Sequence, residues 1–195
     1  NIRNIIDHNL DLNQNFSLKI NQFTDLTLSE FKTKFLVGLN NDYGKFNCKS
    51  FQDNSNNSSE SKDWVKDNAV TSVKNQGQCG SCWSFSTTGA LEGAYYIKTG
   101  KQVEFSEQEL VSCDKVDQGC NGGLMDNAFK WVEDNGGICS EDSYPYDSGQ
   151  GQSASCHSCK VVNGSKVVSY VDVKNSTNAL AEAVSKQPVS IAIEA

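Results

Sequence analysis

The sequence predicts an α+β fold in two halves, with helices in the first half and strands in the second. Apolar residues with helical spacing follow residue 81, and β-branched alternation begins only at residue 166. A polar stretch at residues 52–62 separates both patterns from an N-terminal segment. Helices followed by strands are typical of α+β proteins, and 195 residues suit one domain with an appendage.

Charge and cysteine content exclude several classes of protein. Lys and Arg total 17 against 24 Asp and Glu, which gives a net charge of −7. This balance argues against a nucleic-acid partner, because such proteins carry a basic footprint. No apolar run approaches the roughly 18 residues of a membrane span. The eight cysteines favour an oxidising compartment.

The polar stretch marks a domain boundary. Residues 52–62 read QDNSNNSSESK and contain no apolar side chain, so they cannot contribute to a core. Exposed and flexible segments of this kind are where proteases cut. We therefore predict two parts, residues 1–60 and residues 61–195.

Two short elements are predicted before the linker. The alternation of Phe16, Leu18 and Ile20 predicts a strand. Thr27 and Glu30 form a Thr-x-x-Glu capping box, and the helical spacing that follows predicts a helix to residue 35.

Three helices are predicted after the linker. They cover residues 82–98, 106–111 and 124–135. Ser81 can cap the first helix and Gly100 can end it. Ser106 opens a second capping box, and Gly136 stands where a helix usually ends in the left-handed conformation.

The remaining pattern alternates between strand and helix. Residues 166–173 are β-branched and alternating, which predicts a strand. A short helix is predicted over residues 178–186. Pro188 then interrupts the pattern before a second strand over residues 189–193.

The segment QGQCGSCW at residues 76–83 is the most informative, and two of its interpretations are weak. Cys79-x-x-Cys82 with Cys156-x-x-Cys159 could form a zinc site, but their separation is far wider than in a zinc ribbon. Cys79 and Cys82 could also be a redox pair at the start of a helix, as in thioredoxin-like folds. Such a pair should follow a strand, whereas the residues before Cys79 are turn-like.

In a third interpretation, Cys79 is structural and Cys82 is a nucleophile. The segment meets the signature C-G-[SA]-C-[WY] in full. A helix N-terminus carries roughly half a positive charge, which favours the reactive thiolate of Cys82. The Gln76 amide could stabilise an oxyanion together with the Cys82 backbone N–H. A buried structural cysteine would be the simplest interpretation of an isolated CxxC.

Residues 74–86, KNQGQCGSCWSFS, closely resemble the active-site segment of papain-like cysteine proteases. Further landmarks of that family follow in family order. They are SEQELVSCD at residues 106–114, GCNGG at 119–123 and SYPY at 143–146. The resemblance implies a papain-like two-half fold, of which residues 61–195 hold the helical half and the beginning of the β-rich half.

The N-terminal part resembles a cathepsin L-type prosegment. Its pattern Asn1-x₃-Ile5-x₃-Asn9 is similar to the end of the helical prosegment motif. The pattern Asn21-x-Phe23-x-Asp25 is similar to the second motif, although Lys19 stands where glycine is usual. Residues 1–60 are therefore expected to inhibit the protease, with Asp25 as an ionised partner that holds the segment's own fold.

The resemblance also implies roles for residues in the cleft. Cys82 would be the nucleophile and Gln76 an oxyanion-hole donor. Gly122 and Gly123 would bind the substrate main chain, and glycine suits a place where two backbones approach closely. The remaining two residues would line the pocket for the substrate residue two before the scissile bond, with core packing as their alternative. These are Leu124 and Met125.

Two disulfides are implied by the resemblance. They are Cys79–Cys120 and Cys113–Cys156. Cys159 is the alternative partner of Cys113, but the distance from Cys156 to the strand at Tyr170 resembles the family spacing. Three cysteines stay without an assigned partner. They are Cys48, Cys139 and Cys159.

The general base of the family is not found within the sequence. The expected histidine follows the nucleophile by about 130–150 residues, at about residues 212–232. His8 lies in the prosegment, and His157 follows Cys82 at little more than half that separation. We expect the catalytic His and Asn beyond residue 195, in a chain truncated at both ends.

The expected function is that of a cysteine endopeptidase precursor, of which this chain is an inactive fragment. A non-catalytic relative that binds or inhibits peptides is the alternative. The expected partners are protein and peptide substrates and the chain's own prosegment, in a monomer without metal or cofactor. A secreted or lysosomal protein is expected, with Asn163 and Asn175 as candidate glycosylation sites.

Overall fold

The computed structural model describes residues 1–35, 50–51 and 61–192 of the chain. It divides into two units, one with residues 1–35 and the other with the remaining described residues. The predicted linker lies mostly outside the described residues, and so does Cys48. The predicted boundary at residue 60 therefore stays a prediction.

The N-terminal unit contains two helices, α1 (Ile2–Leu10) and α2 (Leu28–Phe35). The predicted capping box of α2 is confirmed. The Glu30 backbone N–H donates to Thr27 Oγ1 at 3.2 Å, and the Thr27 N–H donates back to Glu30 Oε2 at 2.8 Å. Two backbone donors at the helix start are thereby satisfied.

The strand predicted over residues 16–20 is wrong. An asparagine side chain supplies the pairing that a neighbouring strand would give. The Leu18 N–H donates to Asn9 Oδ1 at 2.7 Å, and Asn9 Nδ2 donates to the Leu18 carbonyl at 2.8 Å. Alternating apolar residues indicate an extended backbone, but the sequence does not show which partners form hydrogen bonds with its N–H and carbonyl groups.

The second unit contains four helices. They are α3 (Cys82–Thr99), α4 (Glu107–Cys113), α5 (Met125–Asn135) and α6 (Thr177–Lys186). All four were predicted, and α3 packs against both α4 and α5. Gly100 and Gly136 end α3 and α5 in the left-handed conformation, with φ of 69° and 81°. None of the helices in the described ranges combines the length and apolar character that crossing a bilayer requires.

Two predicted helix caps differ from expectation. Ser81 precedes α3, but its side chain accepts no hydrogen bond from that helix. Ser106 Oγ does accept from the Glu109 N–H at 2.9 Å. The Glu109 carboxylate does not complete the capping box, because it accepts from the Cys139 N–H at 2.7 Å instead.

The strands are shorter than predicted. In the described residues, β1 (Ser50–Phe51) pairs in parallel with β2 (Asp172–Val173), and Ser50 lies opposite Asp172. The rest of the strand predicted over 166–173 is irregular, and residues 189–192 form no strand. A strand requires a hydrogen-bonding partner as well as the right alternation, and only β2 has one here.

A continuous apolar core joins the helices of the second unit. Its largest members are Trp83 of α3, Phe105 before α4 and Leu110 within α4, each almost completely buried. Burying such side chains contributes roughly 1.5–3 kcal/mol each. The core therefore fixes the start of α3, where Cys82 lies.

A buried ion cluster joins three segments of this unit. Lys74 Nζ lies 2.7 Å from Glu92 Oε1 on α3 and 2.7 Å from Glu107 Oε1 on α4. Burial raises the pKa of both carboxyls, and Lys74 opposes this shift only in part. Burial alone would lower the pKa of Lys74, but Glu107 and Glu92 raise it above its ordinary value. The cluster therefore holds Lys74 charged.

We predict that Lys74→Met lowers the free energy of unfolding by about 3–5 kcal/mol at pH 7, because two carboxylates stay buried without their cation. Urea unfolding with intact disulfides measures this change. The loss should shrink at about pH 4.5, where the carboxyls take up protons. Lys66→Met is the control, since Lys66 is exposed in its ion pair with Asp63. Equal stability of the two variants at pH 7 would contradict the role of Lys74.

Candidate active site

Cys82 is the first residue of α3, and among the described cysteines it alone has a free thiol. Its neighbour Cys79 forms a disulfide with Cys120. A redox pair would join Cys79 to Cys82, so this arrangement opposes the thioredoxin-like interpretation. The half-buried thiol lies where a helix presents its free N–H groups.

The surroundings of Cys82 do not favour its thiolate. Burial raises the pKa of the Cys82 thiol above its ordinary value, and hydrogen bonds from the N–H groups of Trp83 and Cys82 lower it less. From the helix terminus alone, the sequence predicted that the thiolate of Cys82 is favoured and its pKa lowered. A cation beside the thiol would be needed to reverse the effect of burial.

The segment before Cys79 brings the Gln76 amide to the same region. Gln76 Nε2 donates one hydrogen bond to the Cys79 carbonyl at 2.8 Å, and its second N–H stays available for another acceptor. Gly77 has φ of 64°, and a Cβ at this position would lie 2.3 Å from the Gly149 carbonyl oxygen. Only glycine fits this close approach, which fixes the turn that carries Gln76.

Tyr146 joins the two segments that carry Gln76 and Cys82. Its hydroxyl donates to the Gln76 carbonyl at 2.9 Å and lies 2.8 Å from Ser81 Oγ. A hydroxyl has one proton to donate, so Ser81 is the donor in the second contact. The sequence had pointed to Tyr146 through the SYPY motif, but it did not indicate this bridge.

The disulfide brings the predicted substrate-binding glycines close to the start of α3, where Cys82 lies. Beside the bridge, the Gly80 N–H donates to the Cys120 carbonyl at 2.8 Å. A Cβ on Gly123 would lie 2.6 Å from the Trp83 ring, so the segment packs directly on the residue after Cys82. Gly122 has φ of 111°, which also favours glycine.

The two predicted pocket residues lie in different surroundings. Leu124 is buried in the core of the unit. Met125 packs partly on the core and lines an open groove of about 1430 Å³ between α3, α5 and residues 164–192. Neither Cys82 nor Gln76 lines this groove. The pocket role of both residues therefore stays a prediction.

Two further disulfides hold the loops after α4. They are Cys113–Cys156 and Cys139–Cys159. The sequence left the partners of Cys139 and Cys159 open. Glu109 lies beside the second bridge and forms with it the one group of possible metal-ligating atoms found in the described part of the chain. The two cysteine sulfurs of this group are joined in a disulfide, whereas zinc sites use free thiolates.

The described contacts of the two histidines do not place either ring beside Cys82. Each histidine contacts residues of its own unit. The His157 ring stacks on Tyr144, with 3.7 Å between the ring centres. His8 Nε2 lies 3.2 Å from the Phe16 carbonyl oxygen within the N-terminal unit. Both rings are thus engaged locally.

The predicted prosegment residues organise the N-terminal unit. Asn21 Oδ1 accepts from the Phe23 N–H at 2.9 Å, and the Phe23 ring contacts the rings of Phe31 and Phe35. Asp25 is exposed and forms no ion pair within the described ranges. Its predicted role as an ionised partner gains no support from these contacts.

The sequence matches a known protein family. Residues 58–195 match the family described as papain family cysteine protease. The chain is 47% identical over 196 residues to the KDEL-tailed cysteine endopeptidase CEP2 of Arabidopsis thaliana, with 94% of this chain and 53% of the relative covered. Vignain of Vigna mungo is 42% identical over 202 residues, with 96% and 54% covered. The chain spans about half the length of these curated relatives.

Solved precursor structures have the same fold. A recombinant stem bromelain precursor matches with a TM-score of 0.78 and 34% identity, over 96% of this chain and 60% of that one. The digestive procathepsin L 3 of Tenebrio molitor larval midgut matches with a TM-score of 0.78 and 35% identity, over 95% and 60%. The helix-rich second unit thus corresponds to the helical half of the papain fold.

We predict that iodoacetamide alkylates Cys82 of this chain faster as the pH rises, with a midpoint above the ordinary thiol pKa of about 8.5. The physical reason is the burial that raises the pKa of Cys82. Peptide mapping separates its label from any label on Cys48, and Cys82→Ser is the blank. A rate that is already maximal at about pH 5 would contradict the prediction.

Proposed function

Because the chain belongs to the papain family of cysteine proteases, we propose that it forms part of a cysteine endopeptidase precursor. The observation that carries the proposal is the free Cys82 thiol at the start of α3, next to the Gln76 turn and the Gly123 segment. The relatives named as endopeptidases support the same activity. Its substrates would be proteins and peptides.

In the proposed reaction, the Cys82 thiolate attacks the carbonyl carbon of the scissile peptide bond. The carbonyl oxygen becomes an oxyanion, which the Cys82 backbone N–H and the free N–H of Gln76 stabilise. A protonated base then gives its proton to the leaving amine, and water releases the acyl group from the Cys82 sulfur.

The base must come from a histidine other than His157, and we propose that it lies outside residues 1–195. The stacking of His157 on Tyr144 supports this view. The raised pKa of Cys82 supports it as well, because a neighbouring imidazolium is the missing cation that would stabilise the thiolate. An asparagine outside these residues would orient the imidazole.

The N-terminal unit would inhibit the enzyme as its prosegment. Support comes from the neighbouring proform structures of stem bromelain and procathepsin L 3. The Asn21 turn and the Phe23 aromatic cluster give the segment a small core of its own. We propose that residues 1–60 inhibit the enzyme through this folded segment.

A secretory or lysosomal route fits the covalent structure. Three disulfides are expected only in an oxidising compartment. Asn163 and Asn175 are exposed, so both sequons are open to glycosylation. A KDEL tail, named for the Arabidopsis relative, is a retention signal of the endoplasmic reticulum.

We predict that Gln76→Ala in the full-length activated enzyme lowers kcat by about 10²–10³-fold with little change in KM, because one oxyanion donor is lost. Hydrolysis of a Phe-Arg peptide substrate at about pH 5 measures both constants. Gln78→Ala is the matched control, since it removes an exposed amide two residues away. Cys82→Ser should abolish turnover. Activity that survives in Cys82→Ser would favour a different nucleophile.

We also predict that residues 1–195 alone, and residues 61–195 alone, hydrolyse no peptide. Without an imidazole the leaving amine lacks its general acid, a loss of typically about 10²–10⁴-fold, in addition to the lost thiolate. The same assay beside a chain extended past the expected histidine tests this. Comparable turnover by both, abolished by Cys82→Ser, would place the base within residues 1–195.

A further inference from the structure

Two carboxyl groups lie behind the glycine segment that is proposed to bind the substrate main chain. Asp114 follows α4, and Asp117 lies three residues later in the same loop. Asp114 is only 2% exposed, and Asp117 is half-buried. The loop then continues through Gly122 and Gly123 into α5.

Asp117 supports the glycine segment directly. Its Oδ1 accepts from the Leu124 N–H at 3.0 Å and from Asn127 Nδ2 at 2.9 Å. A Cβ on Gly123 would lie 2.7 Å from the Asp117 carboxyl carbon and 2.6 Å from the Trp83 ring. The Gly123 backbone is therefore held between the Asp117 carboxyl and the residue that follows the nucleophile.

The second oxygen of each carboxyl has no conventional partner. Asp114 Oδ2 and Asp117 Oδ2 are buried without a hydrogen-bond donor in the described part of the chain. Asp114 Oδ1, by contrast, accepts from the Val116 N–H at 2.9 Å. Two buried anionic oxygens without a cation are strongly unfavourable.

A single proton between the two carboxyls resolves this conflict. Burial raises the pKa of Asp117 to about 6, although hydrogen bonds from Asn127 and Leu124 oppose the rise. Asp114 raises the pKa of Asp117 further, through its charge and through a hydrogen bond. With one proton present, one carboxyl can donate an O–H to the other, in agreement with the hydrogen bond between Asp117 and Asp114.

We propose that Asp114 and Asp117 share one proton and act as positioning residues, which hold the segment from Gly122 to Leu124 against Trp83 for substrate main-chain binding. The binding role rests on the proposed function. The shared proton itself rests on the two buried Oδ2 atoms without a donor and on the raised pKa of Asp117.

Loss of the shared proton should weaken this support. Above about pH 6 the Asp117 carboxyl loses its proton, and its charge then lies beside Asp114 in a partly buried place. No opposite charge compensates within the described contacts, because α3 presents the neutral Trp83 and α5 the neutral Asn127. The nearby Lys115 ammonium donates to the Ser112 carbonyl. Substrate binding should therefore weaken as pH rises, more than the chemical step does.

The test measures kcat and KM of the full-length activated enzyme from about pH 4.5 to about pH 7.5. We expect KM of the wild type to rise about threefold or more above pH 6. Asp117→Asn should keep KM nearly constant, because its amide oxygen still accepts from Leu124 and its N–H donates to Asp114 without a titrating proton. Asp117→Ala should raise KM at every pH, with kcat changed by less than about twofold.

Asp126→Asn is the matched control. Burial and the neighbouring Asp172 also raise the pKa of Asp126 to about 6, but no hydrogen bond among the described residues joins this carboxyl to residues 122–124. Its variant should keep the wild-type dependence of KM on pH. The positioning role would be overturned if KM of Asp117→Asn depended on pH as in the wild type. It would also be overturned if KM of Asp117→Ala were unchanged.

Infrared difference spectra separate this proposal from the proposed function. The wild type at about pH 5 should have a protonated-carboxyl band that is lost in Asp117→Asn, whether or not the protein hydrolyses peptides. Absence of that band would overturn the shared proton. Absence of peptidase activity in the wild type, with the band present, would overturn the proposed function and the binding role while the shared proton stands.

Discussion

The buried ammonium group of Lys74 is the interaction on which the arrangement of the site depends. Lys74 lies two residues before Gln76, and its two carboxylate partners belong to α3 and α4. The same carboxylates accept from Thr71, Thr88 and the Phe105 backbone. One cation thus fixes the Gln76 turn relative to the helix that begins with Cys82, and the disulfide and Tyr146 refine that placement.

The buried acids of the second unit favour the folded state in acidic solution. Burial raises the pKa of several carboxyls in the second unit. They are Glu92, Glu107, Glu109, Asp117, Asp126 and Glu141. A carboxyl whose pKa is higher in the folded state stabilises the fold below its unfolded pKa. That stability is lost as pH rises through the folded pKa, which is about 6 for Asp117 and Asp126.

Local signals in the sequence predicted most of the helices and the free thiol of Cys82. Thr27, Gly100 and Gly136 act through contacts within a few residues, so their roles follow from sequence spacing alone. The motif around Cys82 is equally local. It predicted a free Cys82 beside a disulfide-bonded Cys79, and the structure has both.

Most of the interactions that the sequence did not predict depend on partners outside the reach of capping and alternation patterns. The extended backbone at Leu18 is satisfied by a side chain, and Ser81 forms a contact with Tyr146 in place of a helix cap. Alternation and capping patterns cannot distinguish these outcomes. The proximity of Asp114 to Asp117 is local, but its consequence requires the burial that the fold supplies.

The spacing of Cys79, Cys82 and Cys120 has a consequence for the order of events in synthesis. Cys82 leaves the ribosome three residues after Cys79, whereas the correct partner Cys120 follows by 41 residues. Where a disulfide oxidant takes up the two electrons and two protons, a short Cys79–Cys82 bridge can close first, because short loops meet fastest. When the Cys120 thiolate attacks the Cys79 sulfur, the old bond breaks and the Cys82 thiolate departs. This exchange would free the Cys82 thiol in the same step that joins the glycine segment to Cys79.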